Sequence, residues 1–199
     1  MRNHLVVMVR APVLGRVKSR LARQIGRVGA VQFYRRTTGR LLRRLGADPR
    51  WNCWLAVTPD HGAALPPAWR QGWRILPQGG GGLGARMLRP ARVLSPGPVV
   101  VVGSDIPGIT ATHIARAFTA LGAHDLVFGP ALDGGFWLVG LRRRPRLLNP
   151  FGGVTWSQAD TLEQVLARVP TDRGVKLIDR LADVDHAADL PSGQAAAFM

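Results

Sequence analysis

Short runs of apolar residues alternate along this chain with segments of helical periodicity, and this alternation restricts the possible folds more than any other feature. The apolar runs are rich in valine and lack polar alternation, as expected for strands that are buried on both faces of a sheet. They occupy residues 5–9, 51–57, 73–76, 99–102, 126–128 and 136–141. The pattern predicts an α/β fold, a three-layer sandwich around a mostly parallel sheet.

The segments between the apolar runs have helical periodicity. In residues 28–45, apolar residues recur at helical spacing and arginines occupy the other face. Similar patterns predict helices over residues 110–121 and 157–169. Thr110 and Ser157 stand at the starts of these two segments, and both are residue types that cap helix N-termini, so we predict both as N-caps.

Length and composition indicate an ordinary globular protein. The chain has 199 residues, 46% of them hydrophobic, which predicts one ordered domain over residues 1–199. The apolar runs are too short to cross a bilayer, and the N-terminal run lacks the cleavage site of a secretion signal. The one cysteine, Cys53, lies in an apolar run and is predicted to be a buried structural thiol. Together these features predict a cytoplasmic protein with no membrane partner.

The formal net charge of +15 suggests an anionic partner. Of the 27 basic residues only Lys18 and Lys176 are lysine, a skew that GC-rich codons would give to any protein, so part of the charge could belong to a solvated surface. The arginine clusters at residues 35–44 and 142–146 lack the interleaved aromatic residues of a surface that stacks on nucleic acid, and no zinc-finger or RNP pattern occurs. A nucleic-acid or polyanion-binding protein is therefore the less favoured hypothesis.

Loops that carry glycine, cations or aspartate follow four of the predicted strands. RAPVLGRVKSRL follows the first strand, PQGGGGLGARM the third, GSDIPG the fourth and GPALDGGFW the fifth. Ligands of open α/β sheets bind beyond the carboxyl ends of the strands. We therefore expect these four loops to meet at one edge of the sheet and to form the active site.

The loop after the first strand has the composition of a phosphate-binding loop. It contains neither GxxxxGK[ST] nor GxGxxG, which excludes the P-loop and dinucleotide-fingerprint classes. Its glycine, Gly15, would let backbone N–H groups approach a phosphate, and Arg16, Lys18 and Arg20 would bind phosphate oxygens. The alternative is an exposed turn in an arginine-rich protein.

Two segments offer carboxylates that could bind a metal ion. Asp105 follows a fully apolar strand and is a hard oxygen ligand suited to Mg²⁺ or Mn²⁺, although an aspartate that caps the turn before Pro107 is the alternative. A second carboxylate could come from DVDHAADL, which contains Asp183, Asp185 and Asp189.

The loop GPALDGGFW offers a third carboxylate next to paired glycines. Asp133 could orient an acceptor, bind metal or fix its turn, and the glycines that follow it allow a substrate close to the backbone. The glycine run at residues 79–82 precedes a helical pattern, which suggests a loop that binds a base or a phosphate.

Taken together, these motifs resemble those of a known family. The ordered series APxxGRVKSRL, QGG…LGARM, GSDIPGI, GPALDGGFWLVGL, WS and DVDxxxDL is similar to that of bacterial glycosyltransferase-A-type transferases associated with radical-SAM and selenoprotein gene clusters. These are similar to the 2-phospholactate and molybdenum-cofactor guanylyltransferases. The resemblance covers residues 5–190 and implies a nucleotide-diphospho-sugar transferase (GT-A-like) fold, a bound nucleotide, a small-molecule acceptor and a divalent metal, Mg²⁺ or Mn²⁺.

The resemblance also implies roles for individual residues. Arg16 and Lys18 match the phosphate-binding loop, Asp105 and Asp185 match two metal-binding aspartates, and residues 78–84 match the region that binds the base. The candidate catalytic residues are Lys18, Arg16, Asp105 and Asp133. The candidate nucleotide-binding residues are Ala11, Pro12, Gly15, Arg16, Lys18, Arg20, Gln78, Gly82, Leu83, Gly84 and Ser104. The candidate substrate-binding residues are Asp133, Gly134 and Gly135.

Two reactions fit these residues. The favoured one is metal-dependent nucleotidyl transfer, in which a phosphorylated or hydroxylated acceptor attacks the α-phosphorus of a nucleoside triphosphate and pyrophosphate leaves. The alternative is glycosyl transfer from a nucleotide-diphospho-sugar, with Asp133 as a base toward an acceptor hydroxyl. The single aspartate of GSDIP, where glycosyltransferases usually have a DxD pair, favours nucleotidyl transfer.

Overall fold

Seven strands form one sheet in the computed structural model, which describes residues 2–60 and 65–182. β6 runs antiparallel to both of its neighbours, and the other strand pairs are parallel. The mostly parallel sheet predicted from the sequence is therefore confirmed. The strands are β1 (Asn3–Arg10), β2 (Trp51–Thr58), β3 (Arg74–Pro77), β4 (Val99–Gly103), β5 (Leu126–Pro130), β6 (Phe136–Leu141) and β7 (Val175–Leu177), in the order β3-β2-β1-β4-β6-β5-β7.

Helices cover both faces of the sheet. Successive valines of β4 point to opposite faces, so Val100 and Val102 join the core on the side of α1 and α4, whereas Val99 and Val101 join the core on the side of α3 and α5. This explains why the strands lack polar alternation, and it confirms the three-layer α/β sandwich. The helices are α1 (Ser19–Gly46), α2 (Pro67–Arg70), α3 (Leu83–Val93), α4 (Ala111–Ala120) and α5 (Thr161–Leu166).

Two helix boundaries differ from the prediction. The first helix begins at Ser19, well before residue 28, and it is kinked at Gly26, whose φ of 75° lies outside the helical region. The predicted N-cap Ser157 is wrong, because Ser157 has a φ of 62° and α5 begins only at Thr161. The Thr161 hydroxyl explains why α5 begins later than predicted. It bonds to the backbone of Gln158 and folds the preceding residues into a turn.

The N-cap predicted at Thr110 is confirmed. Its hydroxyl accepts a hydrogen bond from the His113 backbone N–H, and the Thr110 N–H donates to Nδ1 of the His113 ring at 3.2 Å. This reciprocal pair satisfies two N–H groups at the start of α4, which otherwise have no partner within the helix.

The sequence patterns did not predict the orientation of β6 or the existence of β7. β6 is antiparallel because residues 131–135 are too few to form the crossover that a parallel strand needs. β7 is short and partly exposed, so it has no apolar run. The chain after β7 continues beside β5, where the Leu181 N–H donates to the Pro130 carbonyl at 3.1 Å.

Two further predictions concern the membrane and the cysteine. No helix within residues 2–60 and 65–182 is long and apolar enough to span a membrane. Cys53 is buried in β2, as predicted, and burial raises the pKa of its thiol to about 11. The prediction that residues 1–199 form one domain stays a prediction.

A buried histidine lies at the amino-terminal edge of the sheet. Nδ1 of His4 accepts a hydrogen bond from the Trp54 indole N–H at 3.2 Å, and Nε2 lies 3.3 Å from the Ser95 hydroxyl. Burial, with a smaller contribution from the nearby Arg143 guanidinium, lowers the pKa of His4 below its usual value of 6.5. Folding therefore favours the neutral form of His4.

We expect the free energy of unfolding to fall as pH decreases below 6.5, because the unfolded chain then protonates His4 before the folded chain does. Urea denaturation at several values between about pH 7.5 and about pH 5 measures this dependence. In the His4→Asn variant the same decrease should be smaller. An equal decrease in both proteins would contradict the assignment to His4.

Candidate active site at the carboxyl edge of the sheet

A cavity of about 520 Å³ opens at the carboxyl ends of β1 and β4. This volume is within the range of small-molecule and cofactor sites. Its walls come from the loop after β1, the start of α1, the loop after β4, the first turns of α3 and the start of β6. All four of the segments predicted to meet at one edge thus contribute to the cavity, and GPALDGGFW does so through Phe136 and Trp137 at the start of β6, while residues 131–135 do not line it.

An ion pair joins the two loops that follow β1 and β4. Lys18 Nζ lies 3.0 Å from Asp105 Oδ2, and both residues line the cavity. The Lys18 side chain is only 6% exposed, whereas that of Asp105 is 41% exposed. The pair brings together a cation and a carboxylate that the sequence analysis assigned to phosphate and metal binding.

The backbone of the first loop directs Lys18 into the cavity. Lys18 has φ 47° and ψ 51°, a left-handed conformation that is uncommon for a residue with a side chain. Its carbonyl accepts the Ala22 N–H at 2.9 Å and so begins α1. The N–H of Ser19 precedes this first helical hydrogen bond, and Ser19 lines the cavity, so the positive end of the α1 dipole faces the site.

A buried tyrosine connects the end of β1 with the loop that follows β4. The Tyr34 hydroxyl accepts the Arg10 N–H at 3.0 Å, and it lies 3.2 Å from both the Arg10 carbonyl and the Ser104 hydroxyl. Burial is the main reason why the pKa of Tyr34 is raised above its usual value of 10. The tyrosine thus stays protonated and fixes the end of β1 relative to the residue before Asp105.

An arginine of α1 binds the loop segment that follows Asp105. Arg44 Nη1 donates hydrogen bonds to the carbonyls of Pro107 and Ile109, at 2.9 and 2.7 Å. Part of the arginine cluster of α1 therefore stabilises the fold. Arg143 has a similar role, since it donates to three backbone carbonyls after α3.

Gln78 lies at the cavity, buried at the end of β3. Its Nε2 donates to the carbonyls of Val9 and Ala56, at 3.1 and 2.9 Å. Because only the NH₂ group of an amide can donate to two carbonyls, these contacts fix the orientation of the side chain. Both donors are used, so the amide oxygen is the group through which Gln78 can bind a ligand.

An aromatic cluster adjoins the cavity through Phe136. Phe136 lines the cavity and stacks on Phe151 with a ring separation of 6.2 Å, and both rings also contact Trp156. Gly84 packs against this cluster, because a Cβ there would lie 2.4 Å from Cβ of Phe151.

The structure places seven of the predicted site residues on the cavity wall. These are Arg16, Lys18, Arg20, Gln78, Leu83, Ser104 and Asp105. The predicted residues that do not line it are Ala11, Pro12, Gly15, Gly82, Gly84, Asp133, Gly134 and Gly135.

The β5–β6 loop is held by its own contacts. Asp133 Oδ1 accepts the Gly135 N–H at 2.9 Å, which fixes the turn. Gly134 has a φ of 84°, and a Cβ there would lie 1.8 Å from the Ala159 carbonyl oxygen. The space that a side chain at Gly134 would occupy is thus filled by the backbone of Ala159, and substrate binding by this loop stays a prediction.

The prediction for Asp185 lies outside the described residues, as do those for Asp183 and Asp189. The described part of the chain ends at residue 182, immediately after Leu181, which pairs with Ala131 at the carboxyl edge of the sheet.

The described residues offer one carboxylate, that of Asp105, to a magnesium or manganese ion in the cavity. Within residues 2–60 and 65–182, no three His, Cys, Asp or Glu side chains are close enough to hold a metal. Mg²⁺, however, commonly uses one or two carboxylates together with phosphate oxygens of the substrate. The half-exposed carboxylate of Asp105, on the wall of a cationic cavity, suits that mode of binding.

Sequence reasoning missed several residues of the cavity wall. Arg86 follows Leu83 by one helical turn and therefore lines the cavity beside it, a signal that the helical spacing of α3 contained. The Arg86 Nε–H donates to the Gly81 carbonyl at 3.0 Å, which orients the guanidinium. Phe136 belongs to the predicted segment GPALDGGFW, although it was not named as a site residue. Tyr34 reaches the cavity from the middle of α1 through tertiary packing, which no local pattern indicates.

Comparison with known proteins identifies the family. The chain belongs to a bacterial family, DUF2064, described as uncharacterized proteins conserved in bacteria, whose profile matches residues 41–158. Comparison with curated proteins gives no match.

Several solved structures share the fold over almost their entire length. A candidate nucleotide-diphospho-sugar transferase from Desulfovibrio desulfuricans G20 matches with a TM-score of 0.80 and 25% identity, over 100% of this chain and 94% of that chain. CMP:2-keto-3-deoxy-manno-octonic acid synthetase complexed with CTP matches with a TM-score of 0.56 and 12% identity, over 99% and 98%. The inositol-1-phosphate CTP transferase from T. maritima matches with a TM-score of 0.54 and 12% identity, over 100% and 95%.

These similarities confirm the nucleotide-diphospho-sugar transferase fold. The 25% identical neighbour from Desulfovibrio desulfuricans G20 supports the predicted enzyme class, a transferase. The similarities also confirm the resemblance at the level of this superfamily. They do not test the more specific resemblance to radical-SAM-associated transferases or to guanylyltransferases.

We expect Gly84→Ala to destabilise the protein by about 1–3 kcal/mol, because the added Cβ overlaps the Phe151 side chain. This outweighs the gain of at most about 1 kcal/mol that alanine brings to a helix. Gly80→Ala is the matched control: nothing lies within 4 Å of its added Cβ, so we expect a change of less than about 0.5 kcal/mol. Denaturant unfolding measures both, and equal stability of the two variants would contradict the packing role.

Proposed function

We propose that this protein is a metal-dependent nucleotidyltransferase, which moves a nucleoside monophosphate from a nucleoside triphosphate to a small phosphorylated or hydroxylated acceptor. One observation carries the proposal: the ion pair of Lys18 and Asp105 lies in a cavity with a strong excess of positive charge. Among the described lining residues, one carboxylate, Asp105, faces five cationic side chains, those of Arg10, Arg16, Lys18, Arg20 and Arg86.

The excess of cations favours a triphosphate as the donor. A nucleoside triphosphate carries more negative charge than a nucleotide-diphospho-sugar, so it balances more of the cations that line the cavity. The leaving pyrophosphate also carries more charge than a leaving nucleoside diphosphate. A cationic cavity is therefore of greater use in nucleotidyl transfer.

In the proposed reaction, an acceptor oxygen forms a bond to the α-phosphorus while the bond from the α-phosphorus to the bridging oxygen of the β-phosphate breaks. Lys18 and Arg16 neutralise the charge that builds on the leaving pyrophosphate. An acceptor phosphate needs no general base, whereas an acceptor hydroxyl must lose its proton to solvent or to a base. Catalysis is then mainly positioning and electrostatic stabilisation.

Asp105 and Asp185 are the residues that would hold the metal, Mg²⁺ or Mn²⁺. The metal would supply Lewis-acid stabilisation of the phosphate oxygens. We also propose that Gln78 binds the base through its amide oxygen, since its two N–H groups already bind backbone carbonyls. The cytoplasmic location stays a prediction from the sequence.

Glycosyl transfer is the second candidate, because the neighbour of TM-score 0.80 is a candidate nucleotide-diphospho-sugar transferase. The released product distinguishes the two reactions. The protein is incubated with Mg²⁺, small acceptors, and either nucleoside triphosphates or nucleotide-sugars. Release of pyrophosphate supports nucleotidyl transfer, and release of a nucleoside diphosphate from a nucleotide-sugar contradicts it.

We expect Asp105→Asn to lower the Mg²⁺-dependent release of pyrophosphate by about 100-fold or more, because it removes the charge that binds the metal. Asp172→Asn removes the same charge from an exposed side chain outside this cavity and should retain full activity. Full activity of Asp105→Asn would falsify the role of Asp105.

We expect Arg86→Gln to lower kcat/KM by about 10-fold to 100-fold, the value of one lost hydrogen bond from a charged donor to a substrate anion. Arg92→Gln is the matched control, because Arg92 is an exposed arginine of the same helix that does not line the cavity. If the two variants have the same kcat/KM, Arg86 does not bind substrate.

A further inference from the structure

Lys18 and a divalent metal ion would both bind the carboxylate of Asp105. The ammonium of Lys18 lies 3.0 Å from Asp105 Oδ2, which is a normal distance for a charged hydrogen bond. A metal ion bound to Asp105 would lie close to this ammonium, and two cations at such a distance repel each other strongly in a partly buried site. The ammonium at Oδ2 therefore opposes metal binding at Asp105, and this opposition is relieved when the ammonium moves away.

The surroundings of Lys18 make this displacement unfavourable in the absence of a ligand. The side chain is 6% exposed, and its backbone is fixed at the start of α1 by the hydrogen bond from Ala22. An ammonium that leaves its carboxylate inside a protein loses a stabilising partner and recovers little hydration in return. The displacement becomes favourable when another anion takes the place of the carboxylate.

We infer that Lys18 makes metal binding at Asp105 dependent on the nucleotide. The inference rests on the proposed function, in which the triphosphate is the anion that reaches this cavity. The triphosphate attracts the ammonium away from Asp105, and the freed carboxylate oxygen then binds the divalent cation. Metal and nucleotide therefore bind with positive coupling through the protein, beyond the affinity that they have for each other in water.

Such coupling is reciprocal, because the free energy does not depend on the order in which the two ligands bind. A metal at Asp105 releases the ammonium for the phosphates, so the metal strengthens nucleotide binding by the same factor. The site in this way selects the complex of metal and triphosphate over either component alone.

Binding of Mn²⁺, measured by isothermal titration calorimetry without any turnover, tests the inference. Wild type and Lys18→Met are titrated with MnCl₂ alone, and then with the α,β-methylene analogues of ATP, CTP, GTP and UTP present. Without nucleotide, we expect Lys18→Met to bind Mn²⁺ about 10-fold or more tightly than wild type, a typical size for coupling between two sites. After correction for the Mn²⁺ that each analogue binds in protein-free buffer, a bound analogue should tighten Mn²⁺ binding in wild type and should tighten it less in Lys18→Met.

Arg16→Met is the matched control for net charge. It removes one positive charge from the same loop, and Arg16 makes no ion pair with Asp105. We expect its affinity for Mn²⁺ to change by less than about 3-fold, because exposed charges that are not in contact interact weakly. Asp105→Asn should abolish Mn²⁺ binding at this site in both the wild-type and the Lys18→Met background.

Two outcomes overturn the inference alone. Either Arg16→Met tightens Mn²⁺ binding as much as Lys18→Met does, or wild type binds Mn²⁺ equally well with and without a bound analogue. If no analogue binds to wild type, the proposed function fails as well. Lys18→Gly, which relieves the left-handed backbone and also removes the ammonium, replaces Lys18→Met if that variant does not fold.

Discussion

The parallel pairing of β1 with β4 is the constraint on which the proposed site depends. Both strands end at the same edge of the sheet, so Lys18 meets Asp105 although 87 residues separate them in the sequence. α1 then fixes the two loops against each other: Tyr34 bonds to the end of β1 and to Ser104, and Arg44 bonds to the loop that follows Asp105. One helix therefore determines the distance between the cation and the carboxylate.

Most of the fold could be predicted because the valine-rich runs are buried on both faces of the sheet. This pattern located six strands and the edge at which their loops meet. The predicted start of α5 was wrong because a local side-chain hydrogen bond determines the backbone conformation there. The Thr161 hydroxyl folds the residues before it into a turn, so the helix predicted from residue 157 begins only at Thr161. Periodicity contains no information about such a bond.

The candidate site could be predicted in its charges but not in its shape. Lys18 and Asp105 belong to loops whose composition indicated their chemistry, whereas Tyr34 reaches the cavity through packing between distant elements. Gly84 was predicted to bind the nucleotide, which stays a prediction, and the structure adds a packing role because a Cβ there would overlap Phe151. A sequence does not show whether a glycine serves a backbone conformation, close packing or ligand access, and only the structure distinguishes these roles.

A crystal structure with Mg²⁺ and an α,β-methylene nucleoside triphosphate would test the central claim most directly. The account predicts a triphosphate in the cavity at the ends of β1 and β4, with Asp105 about 2.1 Å from the metal and the Lys18 ammonium on a phosphate oxygen. A nucleotide bound elsewhere on the protein, or one bound in the cavity while Lys18 still contacts Asp105 and no metal does, would contradict it.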